Sequence, residues 1–449
     1  MAKAKHLIRM AVYQAACLEP LRTQSLPILP SALIIGGGLA GLTTALTLAD
    51  QGFPCYLVER QAWLGGLARH LHPALLAPLP PQYLHELISQ VRQHPNITVL
   101  TRSQLLRVEG YAGQFRATIR QQSPAGVQTL TVDSGALIVA TGGQEFIPQG
   151  RYRYGEDPRV LTQLAWSTHL QTDSLPMPPA PSIAMIQCVG SREPEHPYCS
   201  RVCCATAIKN AILIKQRWPL ADVAIFYRDI RTYGFQEDYY LQAKELGVKF
   251  FPYTPAQPPR LTIDSRRRLQ LIIFDELLGQ EATWPADYII LSAGLEPHPD
   301  NRQIAQLLGL QRSAEGFLLE AHQKLRPVET ATEGIFLCGL AHSPRNVLET
   351  ITQAQAAAAA AARLLYQQRR WSGDLTASIR VGACSRCLSC LETCPMGAIQ
   401  LGPDGKPVVQ THLCQGCGTC VAHCPATAIH LSRYSEAEMA AQLTALGLD

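Results

Sequence analysis

Residues 31–60 read SALIIGGGLAGLTTALTLADQGFPCYLVER, and this stretch decides the fold. SALII is a short apolar strand that runs straight into glycines. The apolar residues of LTTALTLADQG then recur at helical spacing, and PCYLVER is a second strand. Strand, glycine turn, helix and strand make a βαβ unit. Gly36, Gly38 and Gly41 form G-x-G-x-x-G at the strand–helix turn, and Glu59 and Arg60 end the second strand. Glycines there permit a tight turn and let a pyrophosphate reach the helix N-terminus, while the Glu59 carboxylate suits a ribose hydroxyl. The expected ligand is a dinucleotide.

Three features outside the stretch favour FAD over NAD. Gly65 and Gly66 follow soon after the acidic residue, where backbone approaches the cofactor in flavoproteins. A strand ending in Ala140, Thr141 and Gly142 matches the second FAD contact of disulfide-reductase flavoproteins. GIFLCG, with Gly339, matches the third, ahead of a helix whose N-terminus can face the flavin.

Further out, NITVL reads as a strand, and QFRATI and VQTLTV as a pair joined by SPAG. Residues 71–81 are Pro-rich and loop-like. The linker DSLPMPPAPS marks a boundary near residue 180. A second βα alternation follows: SIAMIQCVGS, ATAIKNAILIKQ, DVAIFYRDI, a helix, VKFFPY and finally YIILSAG. A long alanine-rich helix is expected to end near Trp371. Two such units, the second inserted in the first, predict an α/β two-dinucleotide-binding flavoprotein of disulfide-reductase or thioredoxin-reductase type, with a C-terminal ferredoxin-like α+β domain. The expected boundaries are an irregular N-terminal arm at 1–30, an FAD-binding domain at 31–180 and 295–375, an insert at 181–294, and the ferredoxin-like domain at 376–449.

The last domain is read from cysteines. Cys384, Cys387, Cys390 and Cys394, and again Cys414, Cys417, Cys420 and Cys424, both follow C-x2-C-x2-C-x3-C-P. Three closely spaced thiolates grip three irons of a cubane, and the fourth cysteine, expected at the start of a helix, reaches the other cluster. Cys384, Cys387, Cys390 and Cys424 are therefore assigned to one [4Fe–4S] cluster, and Cys414, Cys417, Cys420 and Cys394 to a second. Zinc knuckles need no third cysteine at this spacing.

The insert should open with a glycine loop for NAD(P)H. Instead it carries Cys188, Cys199, Cys203 and Cys204 in the pattern C-x10-C-x3-C-C, so a direct nicotinamide donor is not expected. By spacing alone these four cysteines suit a cluster, a redox thiol pair or a buried structural set. Cys17, Cys55 and Cys338 read as structural.

Composition excludes other classes. Of 449 residues 47% are apolar, and the net charge of +4 leaves no basic stripe for nucleic acid. Of fifteen cysteines, eight fall at metal-ligand spacing and four more cluster between Cys188 and Cys204, rather than being spread through a short secreted chain, which argues for a reducing, cytoplasmic setting. No apolar run reaches the ~20 residues that span a bilayer, so any membrane link is expected to come through a partner.

QCVGSRE…PYCSRVCC…AIKNA closely resembles the A subunit of heterodisulfide reductase, as do GGGLAGLTTALTLADQG, DVAIFYRDIRTYG, KLRPVET and GIFLCG. The resemblance runs from about residue 30 to the end. It implies a flavin and iron–sulfur subunit that passes electrons between redox partner subunits of disulfide-reductase or quinone-linked type, in some members by flavin-based bifurcation, as a homodimer within a larger complex. It implies a third [4Fe–4S] cluster at Cys188, Cys199, Cys203 and Cys204, and Lys209 near the reactive edge of the isoalloxazine. A cation there stabilises a reduced anionic flavin. The chain lacks the ferredoxin insertion that long members carry near residues 120–130, and the cysteines they carry after the first flavin motif. It therefore resembles a shortened, bacterial-type member.

Overall fold

The computed structural model describes residues 2–18, 24–73, 78–124, 126–275, 279–372, 375–411 and 413–446. The chain forms two units, 30–366 and a smaller one combining 1–29 with 367–449. Part of the expected Pro-rich loop, residues 74–77, lies outside the described residues.

The larger unit is built on a parallel sheet in the order Ile335–Leu337, Ala136–Val139, Ala32–Ile35, Cys55–Val58 and Ile97–Leu100. Its three central strands are almost wholly apolar and buried, as a sheet covered on both faces requires. The glycine-motif helix Leu39–Ala49 packs on the helix Val347–Leu365. There Ala354, Ala357, Ala358, Ala361 and Ala362 are buried, and their small side chains let the backbones approach until Thr44 Oγ1 donates to Ala354 O at 3.3 Å. Asn346 and Glu349 form a capping box at the start of that helix. It ends at Leu365, short of the expected Trp371, because Arg369–Ser372 is a strand of the other unit. A three-stranded antiparallel sheet, Ser103–Tyr111, Gln114–Ser123 and Gly126–Ser134, completes the core.

The inserted sheet is also parallel, in the order Val160–Thr162, Tyr288–Ala293, Ser182–Val189, Asp222–Tyr227 and Lys249–Pro252. The helices Cys203–Arg217 and Gln236–Glu245 cover one face. The other face packs on an antiparallel sheet, Arg260–Ile263, Leu269–Asp275 and Gln280–Ala286, which the βα pattern of the sequence does not announce. The insert also begins earlier than the Pro-rich linker near 180. Val160–Thr162 pairs in parallel with Tyr288–Ala293, so pairing, not linker composition, sets the boundary. The chain enters and leaves the insert through an antiparallel ribbon, Gly143–Glu145 against Leu295–Pro297.

In the smaller unit the expected irregular arm is instead a helix, Ala2–Ala16, followed by the strand Gln24–Pro27. The segment AKAKHLIRMAVYQAA is rich in good helix formers, packs on the helix Glu436–Ala445, and is followed by pairing of Gln24–Pro27 with Arg369–Ser372. The ferredoxin-like part has two small ribbons, Ala377–Ile379 with Ile429–Leu431 and Ile399–Leu401 with Pro407–Val409. Cys390 and Cys420 lie inside short helices, Ser389–Thr393 and Thr419–His423. Cys394 and Cys424 follow those helices rather than starting them, because Pro395 and Pro425 come directly after.

Candidate functional site

The glycine turn opens onto a cavity of about 1120 Å³ in the larger unit. Gly36 has φ +112°, and a Cβ there would lie 2.2 Å from Ala140 O; a Cβ on Gly41 would lie 1.8 Å from Gly36 O. The protein's own backbone demands these two glycines. Gly38 differs. Its φ is −77°, and the nearest atom to a built Cβ is Gly66 Cα at 3.9 Å. Gly142 likewise has nothing within 4 Å. These gaps line the cavity at the N-terminus of the helix Leu39–Ala49, and their glycine walls and N–H donors fit a dinucleotide pyrophosphate.

Glu59 is 9% exposed and accepts from the N–H groups of Gly37 and Gln61, both at 2.7 Å, which ties the turn to the end of the next strand. It still lines the cavity, as do Gly65, Gly66, Ala140 and Thr141. Gly65 N–H donates to Gly37 O at 2.8 Å. Arg60 lines the same wall and pairs with Asp300 at 3.0 Å. Thr141 Oγ1 donates to Asn301 Oδ1 at 2.6 Å. Gly41 and Gly339 stand behind the wall. Gly339 has φ +70°, a built Cβ would meet Ala40 Cβ at 2.8 Å, and its N–H donates to Gln353 Oε1 at 2.8 Å.

The helix Cys203–Arg217 brings Cys203 and Lys209 to the cavity. The Lys209 ammonium lies over the Tyr239 ring at 4.6 Å, and burial lowers its pKa to about 8. The four cysteines of the insert are brought together. Burial, then the negative charge available on Cys204, Cys188 and Cys199, pushes the Cys203 thiol well up; burial and the charge on Cys188 and Cys199 raise Cys204 to about 11. Burial raises Cys188 too, against the pull of Arg192 and Arg228. Cys188 sits at φ +61°, a left-handed conformation that turns the end of its strand. The next residue but one, Gly190, is packed so that a Cβ would lie 2.2 Å from the Phe146 ring, where a phosphate-binding loop would need open backbone.

In the smaller unit Cys390 and Cys420 each feel thiols from both cysteine motifs. Cys390 is raised by burial and by Cys384, Cys387 and Cys424, and Cys420 by burial and by Cys414, Cys394 and Cys417. Thiols that feel one another in these sets can share a multi-iron cluster. Among the described residues no three or more such side chains converge as closely as one metal ion requires. Cys55 and Cys338 are buried, as structural cysteines should be, whereas Cys17 is exposed.

Comparison with known proteins identifies the family. Residues 30–172 match the pyridine nucleotide-disulphide oxidoreductase family and 383–429 the 4Fe-4S dicluster domain. The A subunit of the H(2):CoB-CoM heterodisulfide,ferredoxin reductase of Methanothermobacter thermautotrophicus is 32% identical over 89% of this chain and 73% of its own length. The chain belongs to the family of heterodisulfide reductase A subunits. The second of two such iron–sulfur subunits of the CoB--CoM heterodisulfide reductase of Methanopyrus kandleri is 31% identical over 90% of this chain and 75% of its own. The first alignment spans 495 positions against a chain of 449, so that relative carries segments this family member lacks. Thioredoxin reductase from Lactococcus lactis shares the fold, with a TM-score of 0.52 at 17% identity over 75% of this chain and 99% of that one. This family member is thus an oxidoreductase subunit that transfers electrons through flavin and iron–sulfur centres. Among the described residues no helix is long and apolar enough to cross a membrane.

Motif reading missed two features of the glycine cavity. The first is a buried polar chain beside Gly339. His342 Nε2–H donates to Glu320 at 2.6 Å, and His342 Nδ1 accepts from Arg345 at 2.9 Å and Gln353 at 2.8 Å. Burial keeps His342 neutral by lowering its pKa, so Nδ1 is free to accept and thereby aligns Arg345, which lines the cavity. The second is Glu145 on the entry strand of the insert. Neither has a spacing signal: their partners lie 22 and 17 residues away, respectively, across folded elements.

Proposed function

We propose that the chain binds one FAD along the glycine cavity, against Gly36, Gly38, Glu59, Arg60, Gly65, Gly66, Ala140, Thr141 and Gly142, with Gly41 and Gly339 shaping the wall from behind. Two [4Fe–4S] clusters belong to the crossed sets of the C-terminal module, and a third to Cys188, Cys199, Cys203 and Cys204. The chain relays electrons between partner redox subunits of disulfide-reductase or quinone-linked type, as a homodimer within a larger cytoplasmic complex, and meets a membrane only through a partner. The observation that carries this reading is Cys203, which belongs to the four-cysteine set and also lines the flavin cavity. A cluster held there adjoins the cofactor. Phe146 against Gly190 speaks against a nicotinamide site in the insert.

When bound, the flavin supplies the exchange between electron pairs and single electrons. The protein's part is placement and charge. The glycine turn and helix N-terminus hold the pyrophosphate. The walls of the cavity restrict water. Lys209 and Arg345 put positive charge on the cavity wall, where an electron-rich ring is stabilised.

Anaerobically purified Cys203→Ala is expected to keep its flavin and lose about four iron atoms per chain, together with one cluster signal in the electron paramagnetic resonance spectrum. Unchanged iron would remove the third cluster. Rapid bleaching of the wild-type flavin by NADH or NADPH would instead favour a self-contained reductase.

Lys209→Gln is expected to lower the flavin midpoint potential by the equivalent of about 1–2 kcal/mol, the value of a half-buried cation near the ring. Because Lys209 titrates at about 8, the charge is present below that pH and fades above it, so the difference between wild type and variant should shrink at alkaline pH. Spectroelectrochemical titration from about pH 6 to 9, which brackets the lysine, checks both the direction and the fading.

A further inference from the structure

Glu145 ends the strand by which the chain enters the insert, and it lines the flavin cavity. Its position is fixed from two sides. Leu295 faces it across the antiparallel ribbon, and the start of the helix Gln163–Thr172 holds its carboxyl: Thr162 Oγ1 donates to Oε2 at 2.7 Å and Leu164 N–H to Oε1 at 3.3 Å. Thr162 is also the N-cap of that helix, accepting from Ala165 N–H at 3.2 Å, so its hydroxyl proton is directed to the carboxyl. The carboxyl therefore has a defined orientation on the wall of a cofactor cavity.

We infer that Glu145 is the proton station of the flavin, exchanging one proton with the isoalloxazine each time it gains or loses an electron pair. The inference rests on the flavin assignment above. The step balances. Two electrons arrive one at a time from reduced [4Fe–4S] clusters, each of which gives up one; the O–H bond of Glu145 breaks, an N–H bond forms on the ring, and a proton from bulk solvent, relayed through water, restores the carboxyl. Oxidation runs the same path backwards.

The protonation state suits the task. Burial raises Glu145 to about 7, against the two hydrogen bonds that favour the anion, so acid and base forms are both accessible near neutrality. Charged neighbours do not set this value. On the facing strand Glu296 is engaged with His196 at 3.2 Å. On the capping helix His169 lies in the last turn. Cys203 and Lys209 come from the cysteine helix and Arg345 from beyond Gly339, and none of these contributes to the shift.

The test is the pH dependence of the flavin midpoint potential in the full-length protein with its clusters, read spectroelectrochemically at the flavin absorption. With Glu145 protonated, reduction to the anionic reduced ring takes up one proton per electron pair. Above about 7 the oxidised protein holds Glu145 ionised, and the added negative charge on reduction re-protonates it, so uptake rises to two. The slope of potential against pH is expected to double there. Glu145→Gln should lose this break while keeping the separate one near 8 that belongs to Lys209. Thr162→Val removes a donor that favours the anion and should move the break to higher pH. A break that survives in Glu145→Gln, or a wild type with bound flavin and no break near 7, overturns the proton station alone. A protein that retains no flavin overturns the flavin assignment and this inference together.

Discussion

Gly38→Ala folds and loses its flavin. A Cβ at this position meets no protein atom closer than Gly66 Cα at 3.9 Å, and φ of −77° suits alanine. The added methyl therefore costs the empty fold little. It projects instead into the space beside the N-terminus of the helix Leu39–Ala49, where a pyrophosphate must approach backbone N–H groups closely. A weakening of FAD retention by about a hundredfold, or about 3 kcal/mol, is expected. It is measured as flavin per chain after gel filtration, with iron content and circular dichroism unchanged. Gly41→Ala serves as the contrast: its Cβ would lie 1.8 Å from Gly36 O, so it should lose flavin and unfold at lower temperature as well. Full flavin occupancy in Gly38→Ala would place the pyrophosphate elsewhere in the cavity.

Cys420→Ser is expected to remove one cluster and unfold the ferredoxin-like part. The buried residues of that core are Ala377, Cys390, Ile399, Cys420 and Ile429, and the strands around them are three residues long. So little apolar surface cannot hold a segment of this size without metal. Iron should fall by about four atoms per chain for the cluster directly lost, and further where Cys394 and Cys424, which cross between the sets, lose their geometry. Limited proteolysis should then cut within residues 377–431, where the wild type resists. Flavin content, which depends on the other unit, should hold. Cys17→Ser, at an exposed cysteine, should change none of these. Full iron and protease resistance in Cys420→Ser would show that Cys420 is not a ligand and that the module stands on its apolar contacts.

Both predictions depend on residues that a local pattern exposes. Gly38 lies within a motif six residues long, and Cys420 within one of eleven followed by proline. Such motifs are legible because the chemistry is local: a tight turn or a cubane corner needs particular residues at fixed short spacing. The same holds for the βαβ unit and for the grouping of the four cysteines from Cys188 to Cys204.

What the tertiary structure decided is of another kind. The N-terminal helix Ala2–Ala16 carries helix formers but no capping signal, and its place follows from packing on Glu436–Ala445, over 400 residues away in the chain. The insert reaches back to Val160 because three residues pair with a distant strand, which no linker composition shows. His342 becomes a neutral acceptor only where Glu320, Arg345 and Gln353 surround it. Glu145 is an ordinary strand-end glutamate in the sequence; burial raises its pKa to about 7 against two hydrogen bonds from the start of a later helix. Short-range geometry is written in residue spacing, so the sequence by itself determined the fold type and the cofactor motifs. Desolvation and long-range hydrogen bonds exist only once the chain has closed on itself, so the tertiary structure alone decided which ionisable groups line the cavity and how their surroundings bias their protonation.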